Sequence, residues 1–251
     1  MIIDAHAHVS REDYGNKEIL LSQMKEAGVD KAILVPGGMI DVRKMTSYLL
    51  QRAQPKGEPI PNDVVDELIR EHPGKFYSFH CVNPHHGQKA VEEFRQAIAR
   101  GKKGLKLAPL IHRFSLTSDT VKDLAKACGE LGVPFYTHVV FHPDASTEKV
   151  AVLAKEFPRT TIILGHMGLA PADDQAVECA FNHDNVFLES SVSSYLIVKE
   201  ALQRLGPGKL IFGSEFPLYH PHLELEKIRI LLKEDDFERV TSKNILAMLP
   251  S

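Results

Sequence analysis

Eight short apolar segments, each followed by a stretch of helical periodicity, run the length of this 251-residue chain and constrain its fold. The segments are Ile2–His6, Lys31–Val35, Phe76–Val82, Gly104–Leu107, Phe135–His138, Thr161–Gly165, Val186–Glu189 and Leu210–Gly213. Helical patterns fall near Ile19–Ala27, Ala90–Ala99, Val121–Leu131, Glu148–Phe157, Asp173–Asn182, Ile197–Leu205 and Leu223–Leu232, with a last helix at about Phe237–Met248. Strands that alternate with helices build a parallel sheet. Eight such units in a chain of this size match a (β/α)8 TIM barrel. The rival is a doubly wound open sheet, but no Gly-x-Gly-x-x-Gly follows the first strand. Gly28, Gly101, Gly132 and Gly206 stand where helices should stop, and Ser118 and Ser146 where N-cap hydroxyls should start them. Residues 41–73 are the irregular region: two helical pieces surround Pro55–Pro61, and an elaborated βα loop able to lid the site is expected. One domain, 1–251, is the reading.

Composition removes several classes of function. Charge is nearly balanced at −3, without a basic stripe, so no nucleic-acid partner is expected. The longest apolar runs fall short of the ~18 residues a membrane helix needs, so no membrane is expected. Asp4 and His6 interrupt the apolar start, unlike a signal peptide. Cys81, Cys128 and Cys179 are scattered and odd in number, which fits core thiols in a reducing cytoplasm. A small-molecule substrate is the expected partner, and a homodimer is the association such barrels often adopt.

In this architecture the chemistry sits at the C-terminal ends of the strands. His6 and His8, at i and i+2, would project together from the first strand. With 13 histidines, one His-x-His is expected by chance on the order of once, so the pair gains weight only from the other strand ends. Those carry Lys106, His138, His166, Glu189 and Glu215 in turn. Neutral imidazoles with a carboxylate suit Zn²⁺, and Mn²⁺, Fe²⁺ or Co²⁺ fit the same donors.

The set Asp4-Ala5-His6-Ala7-His8, Lys103–Leu107, His138, Gly165-His166-Met167-Gly168, Phe212–Pro217 and the helix with Asn244 resembles the amidohydrolase superfamily. The nearest branch is the amidohydrolase-related group, which includes aminocarboxymuconate-semialdehyde decarboxylase and resorcylate decarboxylases. The resemblance spans essentially the whole chain. It implies that His6, His8, His138 and Glu215 bind a metal and that His166 acts in catalysis or holds a second ion. Lys106 matches the lysine that, in two-metal members, is carboxylated and bridges both ions; one ion is the preferred expectation. One residue departs from the pattern. The family places Asp after Phe-Gly-Ser, and this chain has Glu215, which moves the carboxylate oxygens by about 1.5 Å.

The expected function is a metal-dependent hydrolase that uses an activated water on an ester, lactone or amide, with Glu215 as proton acceptor and His166 as stabiliser of negative charge. The alternative within the family is non-oxidative decarboxylation of a small unsaturated or aromatic acid. That reaction needs a cation for the substrate carboxylate, and Arg11 or Arg113 would supply it. A catalytically inactive binding barrel is the second alternative. His112, Arg113, His142 and Tyr219, on loops beyond the strands, are candidate substrate contacts.

Overall fold

The computed structural model describes residues 1–250. Eight strands lie side by side in chain order: β1 (Ile3–Val9), β2 (Lys31–Pro36), β3 (Phe76–Cys81), β4 (Gly104–Leu107), β5 (Phe135–Thr137), β6 (Ile162–Leu164), β7 (Val186–Glu189) and β8 (Leu210–Ile211). All seven ladders are parallel. The sheet then closes on itself through β1 and the residues after β8. Ala5 N–H donates to Phe212 O at 3.0 Å, Glu215 N–H to His6 O at 2.8 Å, and His8 N–H to Phe216 O at 2.8 Å. This is the expected (β/α)8 barrel, and its seam joins the first histidines directly to Glu215.

Strand alternation sorts the buried side chains into two layers. Ala32, Leu34, Leu105, Leu107, Phe135, Ile162, Leu164, Val186 and Leu188 point outward into the layer covered by helices. Ile3, Ala5, Ile33, Val35, Phe79, Tyr136, Ile163 and Ile211 point into the barrel. β1 breaks its own alternation. Ile3 and Ala5 belong to the inner cluster, whereas Ala7 and Val9 belong to the outer one. A register shift between Asp4 and Ala7 against β2 causes the switch. A one-residue irregularity exchanges the faces of all later side chains. The bulge therefore turns His6 and His8 inward; regular pleating from Ile3 would have turned them toward the helices.

Helix boundaries fall within a few residues of expectation, and Gly28 and Gly132 take the left-handed conformation at helix ends. Ser118 and Ser146 occupy N-cap positions, yet neither hydroxyl accepts a capping hydrogen bond. Asn16 does so, accepting from Ile19 N–H at 3.1 Å. The region 41–73 divides in two. Val42–Lys44 and Met45–Leu49 form short turns of helix in the β2 loop. Asn62–Glu71 buries Val64, Val65 and Leu68 and is the regular crossover helix from β2 to β3, so the elaboration ends near residue 61.

The last helix is interrupted. Glu234–Glu238 passes through a π-helical turn, Arg239–Lys243, into Asn244–Met248. Ile245 reaches the inner cluster and plugs the barrel where the strands begin. Asn244 Nδ2 holds it there, donating to Pro207 O at 2.7 Å and Leu210 O at 2.6 Å. Asn244→Ala strips both carbonyls of their donor and should cost about 1–3 kcal/mol. Urea unfolding reads this as a lower midpoint at unchanged slope.

Candidate metal centre

Above the apolar inner layer the barrel turns polar. The inward positions Lys106 on β4, Tyr136 on β5 and Glu189 on β7 are all fully or nearly fully buried. His6, His8, His166 and Glu215 converge on top of them. Ligating atoms of His6, His8 and Glu215 lie within 4.8 Å of one another, and so do those of His6, His166 and Glu189. The Glu215 Oε2 atom is 2.8 Å from His6 Nδ1, 3.6 Å from His8 Nε2 and 3.8 Å from His166 Nε2. It is nevertheless buried without a hydrogen-bond partner. A carboxylate oxygen ringed by imidazole nitrogens and bonded to none of them fits a divalent cation.

Glu189 organises the imidazoles from below. Tyr136 Oη donates to Glu189 Oε2 at 2.7 Å, so its oxygen accepts from His6 Nδ1–H, also at 2.7 Å. Ser191 Oγ donates to Glu189 Oε2 at 2.8 Å and accepts from His166 Nδ1–H at 2.9 Å. His8 Nδ1–H donates to Pro36 O at 3.0 Å. His8 and His166 thus spend their Nδ1 protons away from the cluster and leave Nε2 as a lone pair, whereas His6 turns its Nδ1 edge toward both Tyr136 and Glu215. The Nε2 atoms of His8 and His166 face Glu215, while that of His6 meets Lys106 Nζ at 3.2 Å. Lys106 also lies over the Tyr136 ring, 4.1 Å from its centre.

The electrostatics favour a ligating state. Burial lowers His8 and His138 and brings His166 down to about 4, so these rings are neutral at neutral pH. Burial also works to lower His6, but the Glu215 charge leaves it raised. For Glu215 burial works upward and is overridden by His6, His8 and His166, which hold the carboxyl well below its usual range. Burial likewise opposes Glu189, and hydrogen bonding and charge from His6 bring it to about 2. Burial takes Lys106 down to about 8.

Backbone geometry is committed to this arrangement. His166 and Glu215 sit at φ 61° and 58°, left-handed values that cost a non-glycine residue about 1 kcal/mol or more. Two glycines allow the close packing. A Cβ at Gly165 would come within 2.5 Å of Tyr136 Oη, and one at Gly213 would overlap Glu189 Oε1.

A cleft of about 160 Å³ opens over the cluster, with His8, His138, His166 and Glu215 in its floor. Its walls are mostly apolar, and Met39, Met45 and Leu49 from the β2 loop supply one of them. His138 belongs to the floor but stands apart from the tight group: its ring centre is 6.0 Å from that of His166, and its Nε2 accepts from Leu110 N–H at 3.2 Å. None of His112, Arg113, His142 and Tyr219 lines this cleft. His112 is turned away to Gly57 O at 3.0 Å, and Tyr219 lies on the exterior. Arg113 and His142 line a second chamber next to it. Arg11 is paired on the surface with Asp63 and Glu67. Sequence reasoning left out Tyr136 and Ser191, and weighed Glu189 equally as a partner that orients a ligand and as a plain strand-end acid. Tyr136 carried a usable signal, since it lies two residues before His138 on the same strand face.

A family model for amidohydrolases matches residues 3–250. No curated protein matches the sequence. Among solved structures, the chain is similar to 2,6-dihydroxybenzoate decarboxylase from Rhizobium, at TM-score 0.72 and 18% identity over 98% of each chain. It is similar to a dihydroxybenzoic acid decarboxylase from a Polaromonas species, with bound manganese and 2-nitroresorcinol, at TM-score 0.70 and 16% identity over 98% of this chain and 96% of that one. It is also similar to 4-oxalomesaconate hydratase from Rhodopseudomonas palustris, at TM-score 0.72 and 16% identity over 100% and 96% of the two chains. Likeness at these identities carries the barrel and leaves the reaction open. The match of the family model over nearly the whole chain, on a barrel of this architecture, makes the protein a member of the amidohydrolase superfamily.

Proposed function

We propose that the protein is a metal-dependent hydrolase acting on an uncharged ester, lactone or amide bond next to a ring-sized apolar group. The observation that carries this reading is the buried, unbonded Glu215 Oε2 among three imidazoles. His6, His8 and Glu215 would hold one divalent ion, Zn²⁺ or Mn²⁺, with His138 and His166 beside it. Such an ion supplies Lewis acidity toward a carbonyl and acidifies water toward neutrality. Glu215 takes the proton of the attacking water and returns it to the leaving group. His166, fixed by Ser191, offers its Nε2 lone pair to the attacking water and orients it. The apolar walls exclude bulk water from the reacting carbonyl. A cleft of about 160 Å³ has room for one six-membered ring.

Decarboxylation is the second reading, favoured by the names of two structural neighbours. It requires a cation beside the departing carboxylate, and neither Lys nor Arg lines the cleft. Three buried, free thiols support a reducing cytoplasmic setting. No helix among the described residues is long and apolar enough to cross a membrane. The test is elemental analysis of the purified chain followed by parallel assays on uncharged aryl esters and lactones and on dihydroxybenzoates. One metal equivalent and chelator-sensitive hydrolysis are expected. Release of CO₂ without hydrolysis would establish the decarboxylase reading, and two equivalents would favour a bridging Lys106. A chain that retains no metal, and is not stabilised by added Zn²⁺, would be a binding barrel.

A further inference from the structure

The cleft over the histidines does not end at its own mouth. A second chamber of about 290 Å³ adjoins it, and Leu49, Leu110, Val140 and Phe141 line both. Phe141 is 74% exposed and Leu49 47% exposed, so the shared wall presents uncovered apolar surface. The outer chamber is different in kind. It holds Gln51, Arg113, His142 and Asp144. Arg113 ends the short helix Pro109–His112 at φ 51°, ψ 63°, a position where glycine is the usual residue. Keeping a long cationic side chain there costs backbone strain. Gln51, also in this chamber, is left-handed at φ 56°. Of the six non-glycine residues with positive φ, five line one compartment or the other; Met167 is the exception. The chamber's carboxylate, Asp144, lies 3.7 Å from His142 Nδ1. Arg113 forms no ion pair among the described residues.

We propose that Arg113 is a specificity residue that receives an anionic group at the far end of the substrate, in the outer chamber. Resting on the hydrolase reading, this names the substrate class: an apolar ring at the metal cluster joined to a carboxylate-bearing tail. The carboxylate is a recognition handle. It lies outside the reacting compartment and is not the group that leaves.

The test is calorimetric binding of 6-phenylhexanoate and 6-phenylhexanamide, which share ring and chain and differ in terminal charge, to the zinc-loaded protein. The acid should bind about tenfold more tightly than the amide, the worth of one charge-assisted hydrogen bond. Arg113→Gln should erase that preference and leave the amide's Kd unchanged, and Arg113→Lys should restore part of it. A preference that persists in Arg113→Gln but vanishes on chelation would place the carboxylate on the metal and overturn the proposal. Equal affinity of acid and amide for the wild-type protein would overturn it as well. Binding is read without turnover. An Arg113-dependent preference in a protein that cleaves no ester would keep the subsite and refute the hydrolase.

Discussion

Glu215→Gln should lower kcat by about 10²–10⁴-fold, the range for losing a general base, while the barrel still folds. The amide is isosteric, so the backbone at φ 58° and the bond from Glu215 N–H to His6 O are unaffected. What disappears is the charge that now draws His6 above its ordinary pKa and the oxygen set among three imidazoles. Metal content should fall with activity, because an amide is a poorer ligand than a carboxylate for a divalent ion. Glu215→Asp is the sharper variant. The shorter side chain withdraws its oxygens by about 1.5 Å from a position fixed by the strained backbone. Misplacement of about 1 Å costs on the order of 10²-fold in rate. An Asp variant as active as wild type would mean that the extra methylene of Glu215 has no geometric role. Elemental analysis and initial rates decide both cases, and circular dichroism checks the fold.

The barrel was legible because its information is local and repeated. Each strand is a short apolar run and each helix has its own period, so small errors at boundaries do not alter topology. The convergence of His6, His8, His166 and Glu215 followed from a single rule, that barrel strands end on one face, and the same rule put His138 in the tight group from which it stands apart. The reason His6 and His8 face inward was not legible. It depends on the irregularity between Asp4 and Ala7, and nothing in the letters Asp-Ala-His-Ala-His announces an extra residue in a ladder. Asp4 marks the place, since its carboxylate accepts from His6 N–H at 3.0 Å and from Ser214 N–H and Oγ across the seam at 2.9 and 2.5 Å. Those partners are 2 and 210 residues away, and only the second is beyond the reach of local reasoning. The substrate contacts were the weakest part for the same reason. His112, Arg113 and Tyr219 lie on loops, where proximity to a strand end in sequence says little about direction.

Removing Glu189 should be the most damaging single change to the stability of the barrel. Its carboxylate accepts from Tyr136 Oη, Ser191 Oγ, Ser191 N–H and His166 N–H, all inside the protein. Glu189→Ala leaves these donors without a partner and should cost about 3–5 kcal/mol, as breaking a buried charged network does. For a chain of this length that is a fall in Tm of about 10 °C. Glu189→Gln separates stability from tautomer control. The amide fills the same space, but where its NH₂ takes the Oε2 position it accepts from neither Tyr136 nor Ser191. Ser191 Oγ must then turn its proton toward His166 Nδ1, and that ring can answer only by moving its own proton to Nε2, the atom that faces Glu215. An Nε2–H cannot bind a metal, so affinity for Zn²⁺ should fall by about 10–100-fold with a much smaller change in Tm. Nitrogen-15 spectra of the imidazoles would report the change of tautomer directly. Wild-type tautomers and wild-type zinc affinity in Glu189→Gln would mean that Glu189 only fills and neutralises the barrel floor.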